Sequence, residues 1–207
     1  MNEHNILGAV LAGGKSKRMG KDKLFLKLNN MALIEHTIKK AKKYLKEIII
    51  ITNQENDFFV KNNLITVKDC IDGQLGPLVG ILTAMKWAKE NSPNCSWIIT
   101  FPCDTPFFPE DIISKFIIES KKNESLILCA SSHGRRHNIF GLWSLDLYDK
   151  LYNDLVNNKI RKVQDWTNSN NIKNLEFKFE DYDPFFNINT LQDLEFAKKL
   201  SIKIKNE

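Results

Sequence analysis

The chain has 207 residues, of which 43% are hydrophobic and 27% charged, and 30 Lys and Arg stand against 25 Asp and Glu for a net charge of +5. These values are ordinary for a soluble globular protein and exclude collagen-like, fibrous and wholly disordered chains. The mild positive balance suits anionic small molecules as well as it suits nucleic acid, and no apolar run approaches the roughly 18 residues of a membrane span. Met1 to Asn5 shows no basic region leading into a long apolar stretch, so no secretory signal is read there and a cytoplasmic protein is expected. The four cysteines, at 70, 95, 103 and 129, form no C-x-x-C pair and are read as reduced thiols.

Taken in order, short apolar runs alternate with segments of helical period. Ile6 to Leu11 is a continuous apolar run ending at glycines, as in a strand buried on both faces. Ile34, Ile38, Ala41 and Leu45 form one helical stripe with lysines opposite. Ile48 to Thr52 is a β-branched strand, and Leu64 to Val67 a third. A helix is expected over Leu78 to Lys89, a strand over Trp97 to Phe101, and a helix starting at Pro109 with Ile112, Ile113, Phe116 and Ile117 on its inner side. Leu126 to Ala130 and Ile139 to Trp143 read as strands, and Thr190 can cap a last helix carrying Leu191, Leu194 and Ala197. No repeat, low-complexity block or linker divides the chain, so residues 1–207 read as one domain. Alternation of this kind implies an α/β fold, a mostly parallel central sheet with helices on both faces. Ligands of such sheets lie outside the carboxyl ends of the strands. Three loops therefore carry the search: Ala12 to Lys23, Asn53, and Pro102 to Pro106.

The first loop, Leu11-Ala12-Gly13-Gly14-Lys15-Ser16-Lys17-Arg18-Met19-Gly20-Lys21-Asp22-Lys23, combines glycines with five cations. Glycines let backbone N–H groups approach an anion, and the cations oppose its charge, which is what a triphosphate requires. Gly14-Lys15-Ser16 is not the tail of a P-loop, because position 9 is Ala9 where the first glycine would stand. No G-x-G-x-x-G occurs either. After the fourth strand, Phe101-Pro102-Cys103-Asp104-Thr105-Pro106 places a lone carboxylate where it can face a cation against phosphate oxygens.

The string Leu11-Ala12-Gly13-Gly14 through Arg18-Met19-Gly20 to Asp22-Lys23 resembles the start of nucleotidyltransferases of the nucleoside-diphospho-sugar transferase fold. The doubled glycine is similar to that of the molybdenum cofactor guanylyltransferases within that group. Gly76-Pro77-Leu78-Val79-Gly80, the Pro102-Cys103-Asp104 turn and Phe185-Phe186-Asn187-Ile188-Asn189-Thr190 look like further segments of the same family, so the likeness runs from about residue 6 to about 200. Sugar-nucleotide relatives tend to carry a metal-serving carboxylate in the last segment, where this chain has amides at 187 and 189. His137 precedes Asn138 where the family commonly has a His-Pro pair.

The resemblance implies a three-layer α/β/α, Rossmann-like fold. It implies transfer of GMP from GTP to Mo-molybdopterin, with release of pyrophosphate and Mg2+ as cofactor. GTP contacts carry over to Leu11, Ala12, Gly13, Lys23, Asn53, Asp69 and Asp104, with Asp72 a rival to Asp69, and the metal falls to Asp104. Lys23 and Asp104, with Arg18 as a further phosphate contact, are the catalytic set. The segments His133 to Asn138 and Asn158 to Val163 are candidates to face the anionic pterin substrate, with a plain exposed basic turn the alternative for the former. Cofactor-biosynthesis proteins and molybdoenzymes are the implied transient partners. A cytidylyltransferase for the same cofactor, a sugar-phosphate nucleotidylyltransferase and a non-catalytic nucleotide-binding module stay open as alternatives. A nucleic-acid-binding protein would need a basic face interleaved with aromatics, and the lysines here are scattered instead.

Overall fold

Four isoleucines in a row cannot form a half-exposed strand, and in the computed structural model Ile48–Ile51 (β4) is buried at every position. The structure describes residues 6–13, 23–73, 75–122 and 124–205. Beside β4 lie Ile6–Leu11 (β1) and Ile65–Val67 (β5), both parallel to it. Trp97–Pro102 (β6) runs parallel to β1 on its other side. Arg135–Ser144 (β8) is antiparallel to β6 and to Ile127–Ser132 (β7), and Ile172–Glu176 (β9) returns parallel to β7. The order is β5-β4-β1-β6-β8-β7-β9, a mostly parallel seven-stranded sheet with one reversed strand.

Strand residues alternate between two faces, and the core divides accordingly. Val10, Ile48, Ile50, Ile99, Phe101, Leu128 and Leu142 point to one side. There they meet Ile34 and Ile38 of Leu33–Ala41 (α1) and Ile112, Ile113 and Phe116 of Ile112–Ser120 (α4). Leu7, Ala9, Ile49, Ile51, Ile98, Cys129 and Trp143 point to the other. They meet Pro77–Asn91 (α3), Tyr148–Val156 (α5) and Val163–Asn168 (α6). Each fully buried branched side chain stabilises the fold by about 1.5–3 kcal/mol relative to exposure. The result is the expected three-layer α/β/α arrangement. A short helix, Asp57–Lys61 (α2), follows β4. A small hairpin of Lys27–Leu28 (β2) and Met31–Ala32 (β3) packs with the last helix, Leu191–Lys205 (α7), through Leu28, Leu33, Leu194 and Ala197.

One expectation is corrected and one alternative is set aside. The helix placed at Pro109 begins at Ile112, because Pro109 to Asp111 form a turn closed by Ile112 N–H on Pro109 O at 3.4 Å. Residues 133–138 are not an exposed turn. Only His133 and Gly134 turn, with φ of 49° and 72°, and the strand resumes at Arg135. Within that hairpin the pairing jumps from Cys129–Gly141 to Ala130–His137, so Asn138, Ile139 and Phe140 bulge out of the ladder with β7. Such bulges re-aim side chains, and here they turn the polar start of β8 toward the ligand end of the sheet. No helix among the described residues is long and apolar enough to cross a membrane.

The register explains where a ligand can sit. Leu11 pairs with Ile51 on one side and Pro102 on the other, so β1, β4 and β6 end level. The chain leaves β1 toward β4 and β5, then returns to β6 on the opposite flank. This is a topological switch point, and the residues after the three strand ends open onto one crevice.

Candidate active site

Two cavities open at this end of the sheet, and Pro77 lines both. The first, of about 470 Å³, is bounded by Leu11, Ala12 and Gly13 after β1, by Asn53 after β4 and by Asp69 after β5. Gly76 and Gly80 close it from α3. Gly76 has φ of +85°, a conformation open to glycine, which lets Pro77 start α3 directly after the turn. A Cβ on Gly80 would stand 3.2 Å from Leu11 Cδ2, so the helix approaches β1 because that side chain is absent.

Asn53 and Asp69 form a reciprocal pair. Asn53 Nδ2 donates to Asp69 Oδ2 at 2.7 Å, and Asp69 N–H donates to Asn53 Oδ1 at 2.9 Å. The pair fixes the amide and directs the carboxylate along the cavity wall. Asp72, the rival acid, is exposed and stands outside this arrangement.

At the junction of the strand ends lies a tighter polar group. Lys23, in the short 3-10 turn Lys23–Phe25, donates from Nζ to Asp104 Oδ2 and to Asn189 Oδ1, both at 2.6 Å. Both partners of the ion pair are largely shielded, with side chains 13% and 18% exposed, so solvent screens the attraction less than at an open surface. The Asn187–Asn189 turn is tied to the strand end by Ile188 N–H on Asp104 O at 2.9 Å. Buried Thr105 contacts Asn187 Oδ1 at 2.9 Å and Asp104 Oδ1 at 3.3 Å.

The second cavity, of about 460 Å³, carries Arg135, Arg136, Arg161 and Lys162, with Asn138 and Asn187 among its other walls. Four cations on one concave surface make an anion site. Arg136 Nη1 donates to Thr167 Oγ1 at 3.0 Å and Asn168 Oδ1 at 2.9 Å, and Arg161 Nη1 to Leu155 O at 2.6 Å. Among the described residues, Arg136 Nε and Asn138 Oδ1 are buried without a hydrogen-bond partner. Unsatisfied buried groups are rare and collect where a ligand or water completes them. His137 stacks on Phe185 at 4.2 Å and shares a hydrogen bond with Ser132 Oγ at 2.7 Å. Burial holds its imidazole below the ordinary value against the pull of Asp183, so it adds no charge to this wall at neutral pH.

The sequence-based site residues thus fall into three groups. Leu11, Ala12, Gly13, Asn53 and Asp69 share the first cavity. Lys23 and Asp104 pair with each other at the turn after β6 and do not line that cavity. Arg18 lies outside the described residues. The sequence reading left Asn189 and Thr105 out of the site, although the N-I-N-T segment was the available signal for the first. The bond from Asn189 to Lys23 spans 166 residues of sequence, a separation that no local pattern reveals.

Among the described residues no cluster of three or more His, Cys, Asp or Glu side chains is placed to hold a metal ion alone. The donor chemistry nevertheless fits a hard divalent cation. Magnesium is commonly held by one or two carboxylates together with substrate phosphates and water. Asp104 supplies such a carboxylate, and the ammonium on it shows that the position favours a cation.

A mostly parallel sheet with a nucleotide-sized crevice, a lysine–carboxylate pair at the strand ends and a cationic second cavity defines a nucleotidyltransferase, which must hold two polyanions side by side. The family model described as MobA-like NTP transferase domain matches residues 8–171, and the chain belongs to that family. A molybdenum cofactor guanylyltransferase of Mesorhizobium japonicum is 35% identical over 200 residues, covering 95% of this chain and 96% of the relative. One from Nitrobacter hamburgensis is 32% identical over 195 residues, covering 94% and 93%. Among solved structures, molybdopterin-guanine dinucleotide biosynthesis protein A from Archaeoglobus fulgidus superposes with a TM-score of 0.74 at 22% identity, covering 95% of this chain and 99% of that one. That likeness shows the shared fold.

Proposed function

We propose that this enzyme is a molybdenum cofactor guanylyltransferase, transferring GMP from GTP to Mo-molybdopterin and releasing pyrophosphate. The observation that carries the reading is the Lys23–Asp104 pair at the turn after β6, a strand that ends level with β1, whose Leu11 lines the first cavity. Near-full-length relatives bearing that name support it.

In this reading the backbone of Leu11, Ala12 and Gly13 lies along the nucleotide, and Asp69 meets the base. The Asn53 amide engages one lone pair of Asp69 Oδ2, so Oδ1 and the second lone pair of Oδ2 can accept from guanine. A carboxylate accepts from both N1–H and N2–H of guanine, whereas adenine offers no such pair of donors. Lys23 leaves Asp104 as the nucleotide enters and binds its phosphates. Asp104 holds the divalent cation, assigned as Mg2+, which supplies charge neutralisation to the phosphate oxygens when bound. The second cavity takes the molybdopterin phosphate on Arg135, Arg136, Arg161 and Lys162. A phosphate oxygen of that substrate attacks the α-phosphorus of GTP. The new P–O bond forms as the bond to the bridging oxygen of the β-phosphate breaks, and the electron pair leaves with pyrophosphate. Little covalent work falls to the protein, so alignment and charge carry catalysis. A cytoplasmic setting, with transient contacts to cofactor-supplying proteins and recipient molybdoenzymes, belongs to the same reading.

The test is pyrophosphate release with molybdenum cofactor as acceptor and GTP, CTP and ATP offered in turn. Turnover dependent on cofactor and selective for GTP is expected. Selective turnover with CTP would reassign the base, and equal turnover with all three would remove the guanine assignment. Release with a sugar phosphate in place of the cofactor would reassign the acceptor.

A further inference from the structure

Asp193 is the third residue of α7, and Thr190 stands at the N-cap. Thr190 Oγ1 accepts from Asp193 N–H at 3.1 Å, and Asp193 Oδ2 accepts from Thr190 N–H at 2.8 Å. That much is a capping box, which satisfies the open N–H groups of a helix start. The carboxylate does more than a box requires. The same Oδ2 also accepts from Asn189 N–H at 2.8 Å, one residue further out. Asn189 is the residue whose side-chain oxygen holds Lys23 Nζ at 2.6 Å. A line of contacts therefore runs from the α7 carboxylate through the Asn189 backbone to the Lys23 ammonium and on to Asp104.

We infer that Asp193 is a positioning residue of the transfer reaction: by fixing the Asn189 backbone it aims the Asn189 amide at Lys23 and so places the ammonium at the reacting phosphates. The inference rests on the reading of Lys23 as a phosphate contact. The geometry supplies the cause. A backbone amide gripped by a carboxylate cannot rotate without losing a charge-assisted hydrogen bond, and rotation at Asn189 would swing its side chain off Lys23. Asp193 also stands close enough for its charge and that of Lys23 to be felt mutually, and the hydrogen bonds from Asn189 and Thr190 outweigh burial in holding its carboxyl below the ordinary value. It is therefore ionised at working pH. Thr190 provides the control, because its hydroxyl caps the same helix without touching Asn189.

The experiment compares Asp193→Asn, Asp193→Glu and Thr190→Ala with the parent chain by two readouts. The first is pulse acetylation of lysines with a small activated ester, quantified at Lys23 by peptide mass spectrometry without substrate. The second is kcat and KM for GTP in the pyrophosphate assay. Asp193→Asn is expected to speed labelling of Lys23 and lower kcat about tenfold, the size of one weakened charge-assisted contact. Asp193→Glu restores both, because glutamate is accepted at this place of a capping box. Thr190→Ala lowers Tm but leaves labelling and kcat near the parent values. If Thr190→Ala and Asp193→Asn change labelling and kcat equally, Asp193 is only a helix cap and the inference is overturned. Asp193→Gln serves in the same way should the asparagine variant not fold. If the parent chain shows no GTP turnover, the functional reading fails by itself, while the labelling ratio still decides the role of Asp193.

Discussion

Lys23 Nζ and Asp104 Oδ2 stand 2.6 Å apart although 81 residues separate them in sequence. The contact joins the segment after β1 to the turn after β6, the two flanks of the switch-point crevice. It places a positive charge on a carboxylate at the strand ends. In the proposed reading, cation and lysine share this carboxylate, and an arriving polyanion would draw the lysine to its phosphates.

Asp104→Ala is expected to abolish transfer without unfolding the protein. The side chain, though largely shielded, belongs to no apolar cluster, so its loss leaves no core cavity. Removal of an electrostatic group that acts in the transition state costs about a hundredfold or more. Pyrophosphate release at saturating Mg2+, together with a cooperative melt, measures both halves. Turnover close to that of the parent chain would remove Asp104 from the cation site.

Much of this site was open to reading from sequence, and the reasons differ by residue. β1, β4 and β6 are buried on both faces, so they appear as continuous apolar runs, and the loops behind them are then fixed by topology. β9 was missed because Ile172–Glu176 is an edge strand of mixed polarity that packs only partly. The start of β8 reads as readily as a turn in sequence because Arg135 to Asn138 are polar. They wall the second cavity, a placement that only the sheet register discloses. The pair of Asn53 and Asp69 needs β4 and β5 to lie side by side, and a chain order alone does not give that.

Lys23→Ala removes the ammonium from both Asp104 and Asn189. A charge-assisted phosphate contact is lost, and kcat/KM for GTP should fall by well over about tenfold, or 1.4 kcal/mol. Lys23→Arg keeps the charge but not the compact ammonium geometry, and recovers part of the rate at most. Steady-state kinetics at fixed cofactor concentration give both numbers, and a loss under tenfold for the alanine variant would count against a phosphate role.

Base selection tests the first cavity. Asp69→Asn preserves the shape of the pair with Asn53 but replaces an acceptor oxygen or introduces a donor toward the ligand. Hydrogen bonds to charged groups contribute about 1.5–3 kcal/mol, so GTP affinity should weaken about ten- to a hundredfold while ATP and CTP affinities change little. Calorimetric titration of each nucleotide reads this directly. An equal loss for all three would place Asp69 away from the base.

Asp154 links stability to the second cavity. Its buried carboxylate accepts from Lys150 at 3.0 Å, Trp166 Nε1 at 2.9 Å and Asn158 at 2.7 Å, and so ties α5 to α6 across the segment that carries Arg161 and Lys162. Burial opposes its ionisation, but these three hydrogen bonds outweigh it and hold the carboxyl below its ordinary 3.8. A depressed carboxyl stabilises the folded state above its unfolded value and loses that contribution as pH falls through the lower folded value. Asp154→Ala leaves the buried Trp166 N–H without this acceptor, at a cost of about 1–3 kcal/mol near neutral pH. The gap in Tm between the parent chain and this variant should therefore be widest at neutral pH and narrow as the pH is taken below 3.8. Thermal melts of both proteins across that range test it, and a gap that stays constant would show that the carboxylate charge contributes nothing to holding α5 and α6 together.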